Sequence, residues 1–154
     1  MSAYRVARPE LDDAAVELAM LGDMWFRVPS IRIADGHAAR GDGRTFMYLF
    51  EWESQLLGAA HAMDLLVFGN GLSLPGLAGF TSYDKVAAAM RKSWISFAST
   101  GNPSTPSFTW PEYDLQNRLT VSINNELSVL RDPDQKQRQA LGGLFTMNWQ
   151  QAGL

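Results

Sequence analysis

Cysteine is absent from the 154 residues, which excludes disulfide staples, thiolate nucleophiles and cysteine metal sites together. Histidine is scarce: only His37 and His61 occur, too few for a histidine-rich zinc centre. No run reaches the roughly 18 consecutive apolar residues of a membrane span, and the opening MSAYRVARPELDD lacks the apolar core of a signal peptide. Positive charge is not in excess either. Thirteen Lys and Arg against sixteen Asp and Glu leave a net charge of −3. The densest basic group, Lys85, Arg91 and Lys92, shares one helical segment, not the patch or stripe that nucleic acid requires. These absences imply a soluble, cytoplasmic chain with no cofactor, no metal, and neither nucleic acid nor membrane as partner.

Apolar residues are plentiful. Hydrophobic content of 46% with 19% charged residues is that of a folded chain with a core, and the length suits one domain over 1–154. Five Trp, eight Phe and four Tyr are a heavy aromatic load, because each ring buries a large area and needs thick surroundings. The expectation is that this segment packs against further polypeptide.

Along the chain, residues 10–21 read as a helix, with Leu11, Ala14, Ala15, Leu18 and Met20 or Leu21 at helical spacing and Gly22 as its stop. Asp23 is the N-cap candidate of a second helix over 24–39. Pro29 should bend its first turns or lie near its start. After the Gly41-Asp42-Gly43 turn, RTFMYLFEW (44–52) is the clearest strand. Phe46, Tyr48, Phe50 and Trp52 face one side, and Thr45, Met47 and Leu49 the other. Apolar residues on both faces mark a central strand of an α/β sheet. A loop (53–60) leads to His61, then a short helix over 62–68 and a Gly- and Pro-bearing loop over 69–80. Residues 82–100 form an amphipathic helix with Val86, Met90, Trp94 and Phe97 as its stripe, Thr81 and Asp84 at its start, and Gly101 at its end. Three prolines make 102–117 irregular. RLTVSI (118–123) and ELSVL (126–130) read as a hairpin turning at Asn124-Asn125, followed by a last helix over 134–151. The strand at 44–52 needs parallel neighbours reached by crossovers, and the pattern supplies too few. Its neighbours are therefore expected from elsewhere.

Four stretches carry a more specific signal by their joint order and spacing: the 44–52 strand; Gly58, His61, Asp64, Phe68 and Gly69; Trp94, Phe97, Ala98, Gly101, Asn102 and Pro103; and Trp110, Pro111 and Tyr113. In this the chain resembles the C-terminal region of type-B carboxylesterases, the cholinesterase-like branch of the α/β-hydrolases. Asp23 to Ala34, with Phe26 and Pro29, is similar to the helix that precedes the strand in that family. The resemblance implies the C-terminal portion of an α/β-hydrolase fold with an incomplete sheet: helices, one central strand, an edge hairpin and a C-terminal helix. It implies that His61 is the general base of a Ser-His-Glu triad. A serine nucleophile would sit in a Gly-x-Ser-x-Gly elbow ahead of the histidine. No such elbow occurs here, since Gly71-Leu72-Ser73-Leu74-Pro75 breaks the pattern and follows His61.

The resemblance thus describes a histidine-bearing segment of a serine carboxylic-ester hydrolase, inactive alone for lack of nucleophile and acid. Its implied partners are a complementary N-terminal esterase portion, or itself. The alternative is a non-catalytic, cholinesterase-like association module. Plainer readings stand beside the chemical ones. Asp64 suits a helix N-terminus and His37 a helix C-terminus. Trp94 and Phe97 are core residues, and Ser73 is an ordinary loop serine.

Overall fold

A computed structural model describes residues 2–69 and 82–142. In chain order these form α1 (Ser2–Ala7), α2 (Asp13–Gly22), a π-helical turn (Asp23–Arg27), α3 (Val28–Arg40), β1 (Met47–Phe50), α4 (Met63–Gly69), α5 (Asp84–Thr100), β2 (Leu119–Ile123), β3 (Leu127–Arg131) and α6 (Gln135–Gly142). They fall into two compact units, one drawn from Met1–Gly36 and Asp134–Leu154, the other from His37–Pro133.

In the first unit, Asp12 caps α2 by accepting the Ala15 N–H at 2.8 Å, worth about 1 kcal/mol. Gly22 does not end the helix. It keeps right-handed dihedrals (φ −58°) and the chain runs through the π turn into α3. The physical reason is Pro29, the second residue of α3: it has no N–H for the Trp25 carbonyl, and in a regular helix its ring would crowd that carbonyl. The wider turn just ahead of it relieves the conflict. Asp23, expected as a cap, is instead a tertiary acceptor. The Tyr4 hydroxyl donates to it at 2.7 Å, and Arg27 lies 3.9 Å from it while also pairing with Asp134. Burial and the Asp23 carboxylate together push the Tyr4 phenol well above its usual range. Tyr4, Val16, Val28 and Leu141 form the core of this unit, with Leu11, Ala19, Met20 and Met24 against it. Of the expected α2 stripe, Leu11 and Met20 reach that core, whereas Leu18 is 71% exposed. Apolar residues surround most of α2, so its packing partners, and not its periodicity, choose the buried side. The short α1 has no counterpart in the sequence reading.

In the second unit, β1 pairs with β2 in parallel, Met47 opposite Thr120, and β2 pairs with β3 antiparallel, Leu119 opposite Arg131. The expectation that the neighbours of β1 come from elsewhere is corrected for one of them: β2, of this same chain, runs parallel to it, while no second neighbour of β1 lies among the described residues. The crossover runs through α4 and α5, and the first strand of the hairpin takes the parallel place. Within the described sheet the middle strand is therefore β2, whose Val121 and Ile123 are fully buried, while all four β1 residues are half-buried. Of the expected 44–52, residues 47–50 form the strand proper, and the N–H groups of Glu51 and Trp52 just beyond it both donate to the Ile123 carbonyl of β2. The hairpin connection is Asn124-Asn125-Glu126, since Ile123 faces Leu127.

One face of the 44–52 segment packs as its alternation implies. Tyr48 meets Trp94 edge-on at 5.2 Å, and Trp52 meets Tyr83 at 6.0 Å. Val86, Ala87 and Met90 of α5 are buried against this core, together with Met63 and Val67 of α4. Phe97 remains 49% exposed, although its ring lies 6.0 Å from Phe46. Gly101 ends α5 in the left-handed conformation (φ 71°), its N–H donating to the Phe97 carbonyl, a geometry that glycine adopts without steric cost. Thr81, the expected partner of Asp84, lies outside the described residues, as do the 70–80 loop and 143–151 of the expected last helix. No helix among the described residues is long and apolar enough to cross a membrane.

Candidate active site

His61 sits on an exposed turn in the connection that leaves the carboxyl end of β1 and enters α4. The connection is fastened before the histidine. Ser54 and Gly58 exchange backbone hydrogen bonds of 3.1 and 3.0 Å, and Ser54 Oγ accepts the Leu57 N–H at 2.9 Å. Gly58 closes this small loop at φ 60°, where a side chain would be strained. The 53–60 loop is thus tied at its base, with Ser54 buried and Trp52 buried just ahead of it.

It is fastened again after the histidine. The Met63 N–H donates to the Ala60 carbonyl at 3.2 Å, and the Met63 side chain is in the core. Asp64 accepts the Tyr48 hydroxyl at 2.9 Å and the Leu65 N–H at 2.9 Å. Burial, and then the Asp64 charge and hydrogen bond, push the Tyr48 phenol up to about 12. Between these anchors Ala62 holds φ 67°, a left-handed conformation costing a residue with a Cβ about 1–2 kcal/mol. Such strain persists only where the surroundings impose it.

The other residues of the four stretches build the frame. Trp110 packs edge-on against Trp94 at 6.1 Å. Ser96 Oγ lies 2.8 Å from the carbonyls of both Asn102 and Ser104, docking the Gly101-Asn102-Pro103 turn on α5. The buried Tyr113 donates its N–H to the Thr45 carbonyl at 2.8 Å, just ahead of β1. Trp94 is thus a core residue, as its plainer reading held. His37, in the last turn of α3, lies with Nδ1 2.6 Å from Thr45 Oγ1, a contact its sequence position did not announce. Asp114 accepts hydrogen bonds from Asn117 and Gln116 at the entry to β2, and the Asn117 side-chain bond leads the causes holding its carboxyl below the usual range. Ser73 lies outside the described residues.

A polar recess of about 470 Å³ lies at the carboxyl ends of β1 and β2, lined by Glu51, Trp52, Glu53, Asn124 and Asn125. Ligands of open α/β sheets bind at that end of the strands. Glu51 accepts a hydrogen bond from the buried Ser122 of β2, a partnership that sequence spacing could not reveal. Among the described residues, no three His, Asp or Glu side chains converge as metal ligands.

The carboxylesterase family model matches residues 10–141. This chain belongs to the carboxylesterase family. The chain is 32% identical over 132 residues to the para-nitrobenzyl esterase of Bacillus subtilis (strain 168), a match covering 81% of this chain and 27% of that protein. It is 35% identical over 109 residues to carboxylesterase 1E of Rattus norvegicus, covering 63% and 18%. Among solved structures, a PNB esterase superposes with a TM-score of 0.70 at 29% identity, covering 89% of this chain and 29% of that one. The Geobacillus stearothermophilus carboxylesterase EST55 at pH 6.2 does so with 0.73 at 28%, covering 90% and 31%. The fold is accordingly part of an α/β-hydrolase fold, and this carboxylesterase-family chain spans less than a third of the relatives and structures just named.

Proposed function

We propose that this chain supplies the general base of a serine carboxylic-ester hydrolase, with His61 as that base, and that serine, acid and oxyanion hole come from polypeptide other than these 154 residues. The observation that carries the reading is the position of His61. It stands on an exposed turn leaving the carboxyl end of β1, tethered on both sides, in a chain that matches the carboxylesterase family over 10–141.

The chemistry fits imidazole. The serine Oγ would attack the ester carbonyl as His61 takes its proton. The same proton then passes to the departing alcohol, leaving an acyl-serine. A water molecule repeats the transfer and releases the acid. An imidazole side chain has one ring nitrogen that can accept a proton and can then return it. No metal or cofactor enters these steps.

The test is to mix the chain with a serine-bearing N-terminal portion of a carboxylesterase and follow p-nitrophenyl ester hydrolysis. Activity should appear only in the mixture and should fall by about a thousandfold or more with His61→Ala. Hydrolysis that survives His61→Ala would remove His61 from this role.

A second reading, an association module without catalysis, is favoured by the apolar side chains that α2, the π turn and α3 expose: Leu18, Trp25 and Ile33 are each about 70% exposed, at 71%, 69% and 75%. Large contiguous apolar patches mark interaction sites, and an association surface over these side chains would cover them. Stable self-association by light scattering, with no ester hydrolysis in any mixture, is the outcome that would select it.

A further inference from the structure

The turn that presents His61 is strained, and strain in a folded chain needs a cause. Ala62, the next residue, is held at φ 67°. Ahead of it the Ser54–Gly58 hydrogen bonds tie the loop. Beyond it stand two anchors, the buried Met63 and the carboxylate of Asp64. Met63 and Val67 fix α4 against the core, but an apolar side chain sets depth more readily than direction. A charge-assisted hydrogen bond does set direction, because it loses strength as it is bent or lengthened.

Its donor is well placed for that work. Tyr48 lies on β1, paired residue for residue with β2 through Val121. Its ring is held edge-on against Trp94 of α5 at 5.2 Å. The phenol therefore belongs to the rigid part of the unit, while its acceptor is three residues beyond the histidine. Because its burial and the Asp64 charge keep it protonated up to about pH 12, the donor is present under all ordinary conditions.

We propose that Tyr48 and Asp64 act as a positioning pair for His61: their hydrogen bond transmits the geometry of β1 and α5 to the strained Ala62 turn and so sets the direction of the imidazole. The pair touches no reacting atom, and its catalytic consequence rests on the reading of His61 as general base. The plainer role for Asp64, an acid that merely favours the start of α4, makes a different prediction, because in that case Tyr48 would be irrelevant to the histidine.

The experiment exploits the two histidines of the chain. With ¹³C-labelled histidine the ring carbons of His37 and His61 give separate signals, assigned by His61→Ala, and His37 serves as the internal control. In Tyr48→Phe the ring is kept and the donor lost; in Asp64→Ala the acceptor is lost. Each should shift the His61 ring signals and raise the ring's fast mobility, leaving His37 and the circular dichroism unchanged. The double variant should do no more than either alone, since both remove one bond. Asp64→Asn keeps an acceptor oxygen and should restore most of the wild-type signal. In the complemented esterase, Tyr48→Phe should lower kcat by about tenfold or more with KM unchanged, the signature of a misdirected catalytic group.

His61 ring signals that stay at their wild-type positions in Asp64→Ala and in Tyr48→Phe would overturn the proposal. If Tyr48→Phe does not fold, the solvent-accessible Asp64 variants decide the matter. Absence of any complemented activity would count against His61 as a base, while the ring signals would still decide the positioning pair.

Discussion

Tyr48 makes alkaline stability a measure of the contact beside His61. Tyr48→Phe deletes the hydroxyl but keeps the ring against Trp94. A hydrogen bond to a carboxylate contributes about 1.5–3 kcal/mol, and because this pair is only half-buried the lower end, about 1.5 kcal/mol, applies at neutral pH. The linkage follows from the shift of the phenol from 10.0 to about 12. A group whose folded pKa is raised contributes stability that is complete below its unfolded pKa and lost as pH rises through the folded one. The Tyr48 contribution is therefore intact below pH 10 and declines from 10 to about 12. Two units correspond to about 2.7 kcal/mol at full strength, and partial exposure reduces this to about 1–2 kcal/mol. Urea unfolding of wild type and Tyr48→Phe, followed by tryptophan fluorescence at pH 7 to 12, should show a gap of about 1.5 kcal/mol that narrows or closes above pH 10. Differencing against Tyr48→Phe cancels the other alkaline titrations, including that of Tyr4, whose phenol is raised in the same sense. A gap that stays constant or widens from pH 10 to 12 would refute the linkage.

Three further outcomes follow from the packing. Ile123→Ala, in the middle strand with no exposure, should cost about 2–5 kcal/mol and lower the urea midpoint with an unchanged m-value. Gly58→Ala meets no atom within 4 Å, so only its φ of 60° opposes the new Cβ; it should cost about 1–2 kcal/mol and speed amide exchange at Ser54 and Gly58 while β2 stays protected. Asp12→Ala removes the cap of α2 and should lose about 1 kcal/mol by thermal unfolding, with Asp12→Asn retaining most of it.

Much of the fold was legible because it depends on local pattern. The 3.6-residue apolar spacing and Gly101 located α5 to within two residues at its start. The alternation from Phe46 to Trp52 named the face that packs on Trp94 and Tyr83. The hairpin was visible as two short runs of alternating apolar and polar residues around Asn124 and Asn125. Local pattern failed where the deciding contact was distant. Gly22 looks like a stop, yet the helix continues through it because the π turn absorbs the clash with Pro29. Asp23 looks like a cap, yet Tyr4, 19 residues away, claims its carboxylate.

The candidate site divides in the same way. His61, Gly58 and Asp64 became candidates through the family resemblance that their order and spacing carry. The bond from Tyr48 to Asp64, the Ser54–Gly58 closure and the strain at Ala62 could not.

Sequence alone determined most of the element types, the family resemblance, the absence of a Gly-x-Ser-x-Gly elbow from these 154 residues and His61 as the candidate base, since each is a matter of residue type at short range. Tertiary structure decided that β2 and not β1 takes the middle of the described sheet, which side of α2 is buried, and which groups hold the His61 turn. Those outcomes turn on hydrogen bonds and apolar contacts between residues far apart in the chain, whose free energies depend on geometry that no single stretch encodes.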